Sequence, residues 1–203
     1  MNGVFAEGEQ LKEIDLAERF NVSRSPVREA LRRLSGDGIL EISPNRGIFV
    51  REFSAKYIAD VLELRIILEK RGLERAPQMI TSEIKREMLT IRGEMKYVIS
   101  HGSYNLEKHD AIDAEFHNLI MDFNDNEFIS EVAQTISALN AMFRNVSLRD
   151  PNRAIESQME HIALIDSLLE GKIETATKIN EGHIERTKKR VLTELEKRRQ
   201  ARL

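Results

Sequence analysis

Residues 15–34 read DLAERFNVSRSPVREALRRL, and this stretch decides the fold of the first part of the chain. Helical spacing of apolar residues predicts a short helix over Leu11–Phe20, whose inward side chains are Leu11, Ile14, Leu16, Ala17 and Phe20. After a tight turn, Ser23 is a favourable N-cap for a second helix that runs to about Leu34. Its inward residues are Val27, Ala30, Leu31 and Leu34. The stretch therefore predicts a helix-turn-helix.

A hairpin follows the second helix. Two short β-like runs, Ile39–Ile42 and Ile48–Phe53, flank Ser43–Gly47, whose Pro, Asn and Gly residues favour a turn. From Ser54 onward the pattern becomes helical throughout. Six helices are predicted at roughly 54–76, 81–100, 104–123, 126–148, 154–170 and 173–199, with breaks at Pro77, His101-Gly102, Asn124–Asn126, Asp150-Pro151 and Gly171.

The predicted fold class is mainly α, with two domains. Residues 1–53 form a winged helix-turn-helix, and residues 54–203 form an antiparallel all-helical bundle, because the predicted loops are short. The chain has 203 residues, of which 41% are hydrophobic, so a buried core is expected. It has no cysteine, which excludes disulfides, thiolate zinc sites and a cysteine nucleophile. Neither a membrane span nor a signal peptide is recognisable, so we expect a cytoplasmic protein without a membrane partner.

A basic face marks the second helix, although the net charge of the chain is −3. Arg24, Arg28 and Arg32 are four residues apart and share one side, roughly 120° from the apolar side. Such a face is often only solvated surface. The order of short helix, turn, arginine-faced helix and hairpin favours DNA binding instead, since arginine forks pair with guanine in the major groove. The predicted DNA contacts are Ser23, Arg24, Ser25, Arg28, Arg32, Asn45, Arg46 and Gly47.

Histidines and one aspartate occupy inward faces of the bundle. Asp113 and His117 are one turn apart on the third bundle helix, and His161 and His183 lie on the fifth and sixth. A lone histidine is more often an ordinary surface or core residue. A buried carboxylate without a partner, however, costs several kcal/mol, and a divalent cation would compensate it. We therefore predict that Asp113, His117, His161 and His183 bind Zn²⁺, Ni²⁺, Co²⁺ or Mn²⁺. His109 lies about 12 Å along the helix from His117, too far to share the ion.

Residues 15–34, together with Gly38-Ile39-Leu40 and Pro44–Gly47, resemble the winged helix-turn-helix of GntR-family bacterial transcription regulators. The helical remainder is similar to the FCD ligand domain of the FadR subgroup. The resemblance implies that the four predicted ligands match the metal-binding subset of FCD domains, and that the metal helps to hold a small carboxylate. Family members usually begin with a further helix, and Met1 falls where it should end. The winged domain is therefore predicted to lack its first helix.

The expected function is a ligand-responsive, DNA-binding transcription regulator. It should act as a homodimer on a palindromic DNA operator, because one arginine-faced helix spans only a few base pairs. Arg65 is a candidate for the effector carboxylate, with a salt bridge to Glu69 as its equal alternative. Weaker candidates are Asn140 and Arg144. Two other functions stay open: a metal-dependent enzyme acting on a small organic acid, and a purely structural metal. No catalytic motif favours the enzyme.

Overall fold

A computed structural model describes residues 5–101, 105–147 and 150–200, without the side chains of 144–147, 198 and 199. The chain divides into two compact units, Met1–Ser54 and Ala55–Leu203. The described part is mainly helical and carries a small antiparallel sheet in the first unit, which confirms the predicted fold class.

Residues 5–54 of unit 1 contain two helices and three strands. In chain order they are β1 (Gln10–Leu11), α1 (Glu13–Phe20), α2 (Arg24–Gly36), β2 (Leu40–Ser43) and β3 (Gly47–Val50). The strands pair in the order β1-β3-β2, all antiparallel. The prediction that Leu11 begins the first helix is wrong. Leu11 instead pairs with Ile48 in the sheet, because β1 satisfies backbone groups that the edge of β3 would otherwise expose.

Two turns shape the surface of unit 1 that carries the predicted DNA contacts. Asn21 ends α1 in the left-handed region, with φ 53°, which asparagine tolerates. Asn45 has φ 60° and Gly47 has φ 108°, so the hairpin turns sharply between β2 and β3. The side-chain amide of Gln10 donates to the carbonyl of Arg46 over 2.7 Å and ties the hairpin tip to β1. This hairpin is the wing.

An apolar groove lies along α1 and α2. Leu16, Ala17, Val27 and Leu31 are buried as expected, but Ile14, Phe20 and Ala30 are exposed, which corrects the predicted inward faces. The physical reason is that no element within residues 5–54 covers the full width of these faces. The groove is lined by Phe5, Leu11, Leu16, Phe20, Val22, Pro26, Val27, Ala30, Leu31, Leu34, Leu40 and Val50.

We expect unit 1 to be the less stable of the two units. Its helices leave apolar surface in contact with water, whereas unit 2 has a large continuous core. Native-state hydrogen exchange should find amides of residues 5–54 opening at lower free energy than amides of α3, α5 and α7. Equal protection in both units would contradict this expectation.

The described residues of unit 2 form six helices: α3 (Ala55–Met79), α4 (Ser82–Ser100), α5 (Leu106–Asp122), α6 (Glu127–Ser147), α7 (Pro151–Leu169) and α8 (Ile173–Gln200). Two predicted ends differ. The helix does not stop at Pro77, because proline there removes one backbone donor only, and the Ile80 N–H still reaches the Ala76 carbonyl. Helix α7 begins at Pro151 rather than near residue 154, since proline is favourable at a first helical position.

Helix α3 packs closely on α5. A Cβ on Gly72 would lie 2.3 Å from the carbonyl oxygen of Ile120, so only glycine allows this approach. The side-chain amide of Asn124 donates to the carbonyl of Leu68 over 3.0 Å. Arg71 in turn donates to the Asn124 side chain over 2.8 Å. These contacts hold α3 against α5, next to the turn of α5 that carries His117.

Candidate metal centre and nucleic-acid interface

Four buried side chains from three helices converge in the core of unit 2. They are Asp113 and His117 on α5, His161 on α7 and His183 on α8, and each offers one ligand atom within 4.8 Å of the others. The structure thus brings together the whole predicted metal set. His109 is also buried but is not a member of the cluster.

The distances within the cluster fit a single ion. The Nε2 atoms of His161 and His183 are 3.3 Å apart, and His161 Nε2 lies 3.6 Å from Asp113 Oδ1. His117 Nε2 is 3.9 Å from Asp113 Oδ2. Donors that each lie ~2.0–2.1 Å from one tetrahedral ion are about 3.4 Å from one another. Small side-chain movements would therefore satisfy such an ion, and the donor set suits a divalent transition metal.

A buried carboxylate orients His117 from the side of the ring that faces away from the cluster. Glu69 Oε2 accepts a hydrogen bond from His117 Nδ1 over 3.0 Å, which leaves Nε2 to face the cluster. The other oxygen of Glu69 accepts from Arg65 Nε over 2.6 Å. The salt bridge weighed as an alternative for Arg65 is therefore present. A carboxylate bound to the second nitrogen of a histidine fixes its tautomer and makes it a better metal ligand.

His183 has a second carboxylate behind it. Glu160 Oε2 accepts from His183 Nδ1 over 2.7 Å. Arg153 donates to both oxygens of Glu160 at 2.9 and 3.0 Å, and Arg186 donates to Oε1 at 2.8 Å. Burial alone would raise the pKa of Glu160, but the hydrogen bonds and charges of His183 and Arg153 hold that pKa well below its usual range. Glu160 is therefore an anion that holds His183 in the ligating tautomer.

His161 differs from the other two histidines. Its Nδ1 has no hydrogen-bond partner in the described part of the chain. Burial, with the neighbouring His183, holds the pKa of His161 well below its usual value. The ring is therefore neutral at neutral pH, which is the form that binds a metal.

Glu160 gives a testable prediction. Glu160→Gln removes the negative charge behind His183, so we expect metal affinity to fall about 10–100-fold. Glu156→Gln is the matched control, because Glu156 also lies near Arg153, at 3.7 Å, but is exposed and makes no hydrogen bond or ion pair to His183 within the described residues. Zinc titration with a competing chelator should show a loss in the first variant only. Similar affinities in both variants would remove Glu160 from the metal site.

A small cavity of about 10 Å³, with room for about one water molecule, lies beside the cluster. Its lining includes Glu69, His117 and Asn140, so the structure places Asn140 near the metal ligands. Asn140 Oδ1 and Arg65 Nη2 are buried and have no hydrogen-bond partner among the described residues. The Oδ1 and Nδ2 atoms of Asn180, which lies one turn before His183 on α8, are also buried without a hydrogen-bond partner among the described residues. The side chain of Arg144 lies outside the described residues.

The predicted DNA contacts lie on exposed surface of unit 1. Arg24, Arg28 and Arg32 project from α2, and Ser23 and Ser25 stand at its first turn. The tip of the wing exposes Asn45, Arg46 and Gly47. One feature was not predicted: Arg28 is paired with Glu13, the first residue of α1.

The comparisons with known proteins agree with this architecture. The family described as bacterial regulatory proteins of the gntR family matches residues 1–50, and the FCD domain matches residues 60–186. The HTH-type transcriptional regulator YdhC of Bacillus subtilis (strain 168) is 30% identical over 179 residues, which are 86% of this chain and 78% of that protein.

Solved structures share the fold. A GntR regulator from Rhodococcus sp. RHA1 has a TM-score of 0.74 at 23% identity, covering 95% of this chain and 91% of that chain. A Zn²⁺-bound FCD domain of the regulator TM0439 has a TM-score of 0.60 at 24% identity, covering 71% and 97%.

A winged helix-turn-helix followed by a helical domain defines a class of two-domain, DNA-binding transcription regulators. The chain belongs to the GntR family of bacterial regulators, and its second unit is an FCD domain. The matched families and relatives are regulators rather than enzymes, which confirms the prediction that the chain is not an enzyme. Among the described residues, no helix is long and apolar enough to cross a membrane.

Proposed function

We propose that this regulator binds a divalent metal through Asp113, His117, His161 and His183, and that a small carboxylate effector binds beside the metal and controls DNA binding in the cytoplasm. One observation carries the proposal: buried polar atoms of Arg65, Asn140 and Asn180, which have no partner in the described part of the chain, accompany the ligand cluster. Native interiors satisfy nearly all such groups, so each unsatisfied group points to an ion, a water or a ligand.

The metal would supply a positive charge and open coordination positions for an anion. An ion with octahedral coordination keeps two positions after four protein ligands are bound. The Zn²⁺-bound FCD neighbour supports a metal in this fold. The residues do not distinguish Zn²⁺ from Ni²⁺, Co²⁺ or Mn²⁺, because nitrogen and oxygen donors without thiolate select weakly among them.

Arg65 is the best candidate for the effector carboxylate. Its Nε holds Glu69, and its Nη2 still has a donor to offer within the core. Its charge also acts on His161, so the guanidinium lies near the cluster. Asn140 would accept a hydrogen bond from the effector, and Asn180 would both donate and accept. In this structure the cavity has room for about one water molecule, so a carboxylate would need the surrounding side chains to move.

On the DNA side, we propose that a homodimer binds a palindromic operator. The α2 helix would enter the major groove with Arg24, Arg28 and Arg32 toward the bases, while Ser23 and Ser25 reach phosphates. Ser23 makes no side-chain cap hydrogen bond, so its hydroxyl remains available for a phosphate. Asn45, Arg46 and Gly47 on the wing would contact the backbone or the minor groove.

Replacing Arg28 tests the recognition helix. Arg28→Ala should weaken operator binding by about 1–3 kcal/mol and relax the preference at one base step. Binding constants for an operator selected from random duplexes, and for its single-base variants, provide the measurement. An equal loss on every sequence would show that Arg28 contacts phosphate only.

Effector titration tests the regulatory site. Calorimetry of metal-loaded protein with acetate, lactate, malonate and citrate should detect binding of at least one acid, and a neutral sugar serves as the control. The same acid should release selected DNA in a mobility-shift assay. After chelation the acid should no longer bind. Equal binding with and without metal would make the metal structural only.

A further inference from the structure

The ion pair between Glu13 and Arg28 links the two helices of the helix-turn-helix. Glu13 is the first residue of α1, and Arg28 is the middle arginine of the α2 row. Arg28 Nε donates to Glu13 Oε1 at 2.9 Å and to Oε2 at 3.1 Å, and Nη2 donates to Oε2 at 2.8 Å. Arg24 and Arg32 make no such ion pair in the part of the chain that the structure describes.

These distances identify the edge of the guanidinium that is used. A guanidinium carries five N–H donors in a flat fork. Glu13 occupies the side edge, formed by Nε and one N–H of Nη2. The end edge keeps one N–H on Nη2 and both on Nη1. Two parallel donors therefore remain, and they suffice for a bidentate bond to guanine O6 and N7.

The carboxylate of Glu13 also faces the rest of the arginine row. The hydrogen bonds from Arg28, together with the charges of Arg24 and Arg32, hold the pKa of Glu13 below its ordinary value. Glu13 is thus an anion at neutral pH. Close to DNA, an anion repels phosphates, so its presence on this face weakens binding to every sequence. An unfavourable charge at such a position calls for a compensating role.

We propose that Glu13 is a specificity-determining positioning residue: it clamps the side edge of Arg28 so that only the end edge meets a base. A free arginine would adopt many rotamers and exchange between phosphates and bases. The clamped guanidinium reads one base step in one geometry, at the expense of overall affinity. The proposal rests on the base-contact role proposed for Arg28.

Selection of bound duplexes from a random-sequence library tests the proposal with the full-length protein. Wild type should select one base at the step that Arg28→Ala relaxes. Glu13→Gln and Glu13→Asp should each lower that preference at least about fivefold. The aspartate variant keeps the charge and shortens the side chain, so its affinity for scrambled DNA should stay unchanged. The glutamine variant should bind scrambled DNA more tightly.

Asp15→Asn is the matched control, because Asp15 is an exposed acid in the same first turn of α1. It should tighten binding to scrambled DNA and keep the base preference. A purely structural Glu13 would lower the melting temperature of unit 1 and leave the preference intact, which would overturn the proposal. So would Glu13 variants that relax a different step from Arg28→Ala. If Arg28→Ala relaxes no step, the base-contact role itself fails, and the positioning role fails with it.

Discussion

Removal of the metal is expected to lower the melting temperature of unit 2 by about 8–16 °C. An ion that binds only the folded state stabilises it by about 4 kcal/mol at a thousandfold excess over Kd. For a folded unit of this size each kcal/mol shifts the melting temperature by about 2–4 °C. The four ligands belong to α5, α7 and α8, so the ion connects three helices.

Scanning calorimetry with and without a chelator measures this shift, and addition of Zn²⁺ in excess of the chelator should reverse it. Unit 1 provides an internal control, because none of the four ligands lies within it. Its transition should stay at the same temperature. A melting temperature that is insensitive to chelation, in protein shown by mass spectrometry to carry metal, would contradict the assignment.

Loss of one ligand should have the second-largest effect. His161→Ala removes a neutral imidazole whose Nε2 is close to both Asp113 and His183. Loss of an outer-shell partner already costs about 10–100-fold in metal affinity, so loss of a ligand should cost ~100-fold or more. At the same zinc concentration the stabilisation by metal should fall from about 4 to about 1.4 kcal/mol or less, so most of the metal-dependent rise in melting temperature should be lost, and effector binding should weaken with the metal.

Two further variants make this result interpretable. Asp113→Asn keeps the shape of the side chain and removes its charge, so it should weaken metal binding with less disturbance of packing. His101→Ala removes an exposed histidine that stacks on Tyr97 and does not belong to the ligand cluster. It should bind metal as wild type does. DNA binding by the α2 face in scrambled duplexes should be unaffected in all three. A His161→Ala protein that loses as much stability on chelation as wild type does would exclude His161 as a ligand.

Much of the bundle is predictable from sequence for simple reasons. Apolar residues recur at helical spacing between breaks of Gly, Pro and Asn, so the six helices of unit 2 are recognisable. Each of the four clustered ligands lies on the inward face of its helix. The spacing of apolar residues within that helix identifies this face. The partner of an inward residue is not local. Whether Glu69 meets His117 depends on the rotation of α3 against α5, which the Gly72 contact sets.

The contacts that could not be predicted from sequence are those between separate elements. Glu160 was recognisable only as the residue before His161, and its role comes from the packing of α7 on α8. β1 has two residues, too few to show alternation, and its partner β3 lies more than 35 residues away. Glu13 and Arg28 are 15 residues apart on different helices. In each case the structural role depends on a contact between two elements. Helical periodicity describes only one element at a time, so it does not predict such a contact.

The spread of the ligands along the chain has a consequence for the order of events in folding. Asp113 and His183 are separated by the whole of α6 and α7, so an unfolded chain would have to close long loops before it offered a complete ligand set. The bundle must therefore assemble before the ion can bind all four residues. An interaction formed after the folding transition state slows unfolding and leaves the folding rate nearly unchanged. The metal should therefore bind after the bundle has formed and slow its unfolding. It would determine how long the folded regulator persists rather than how fast it forms.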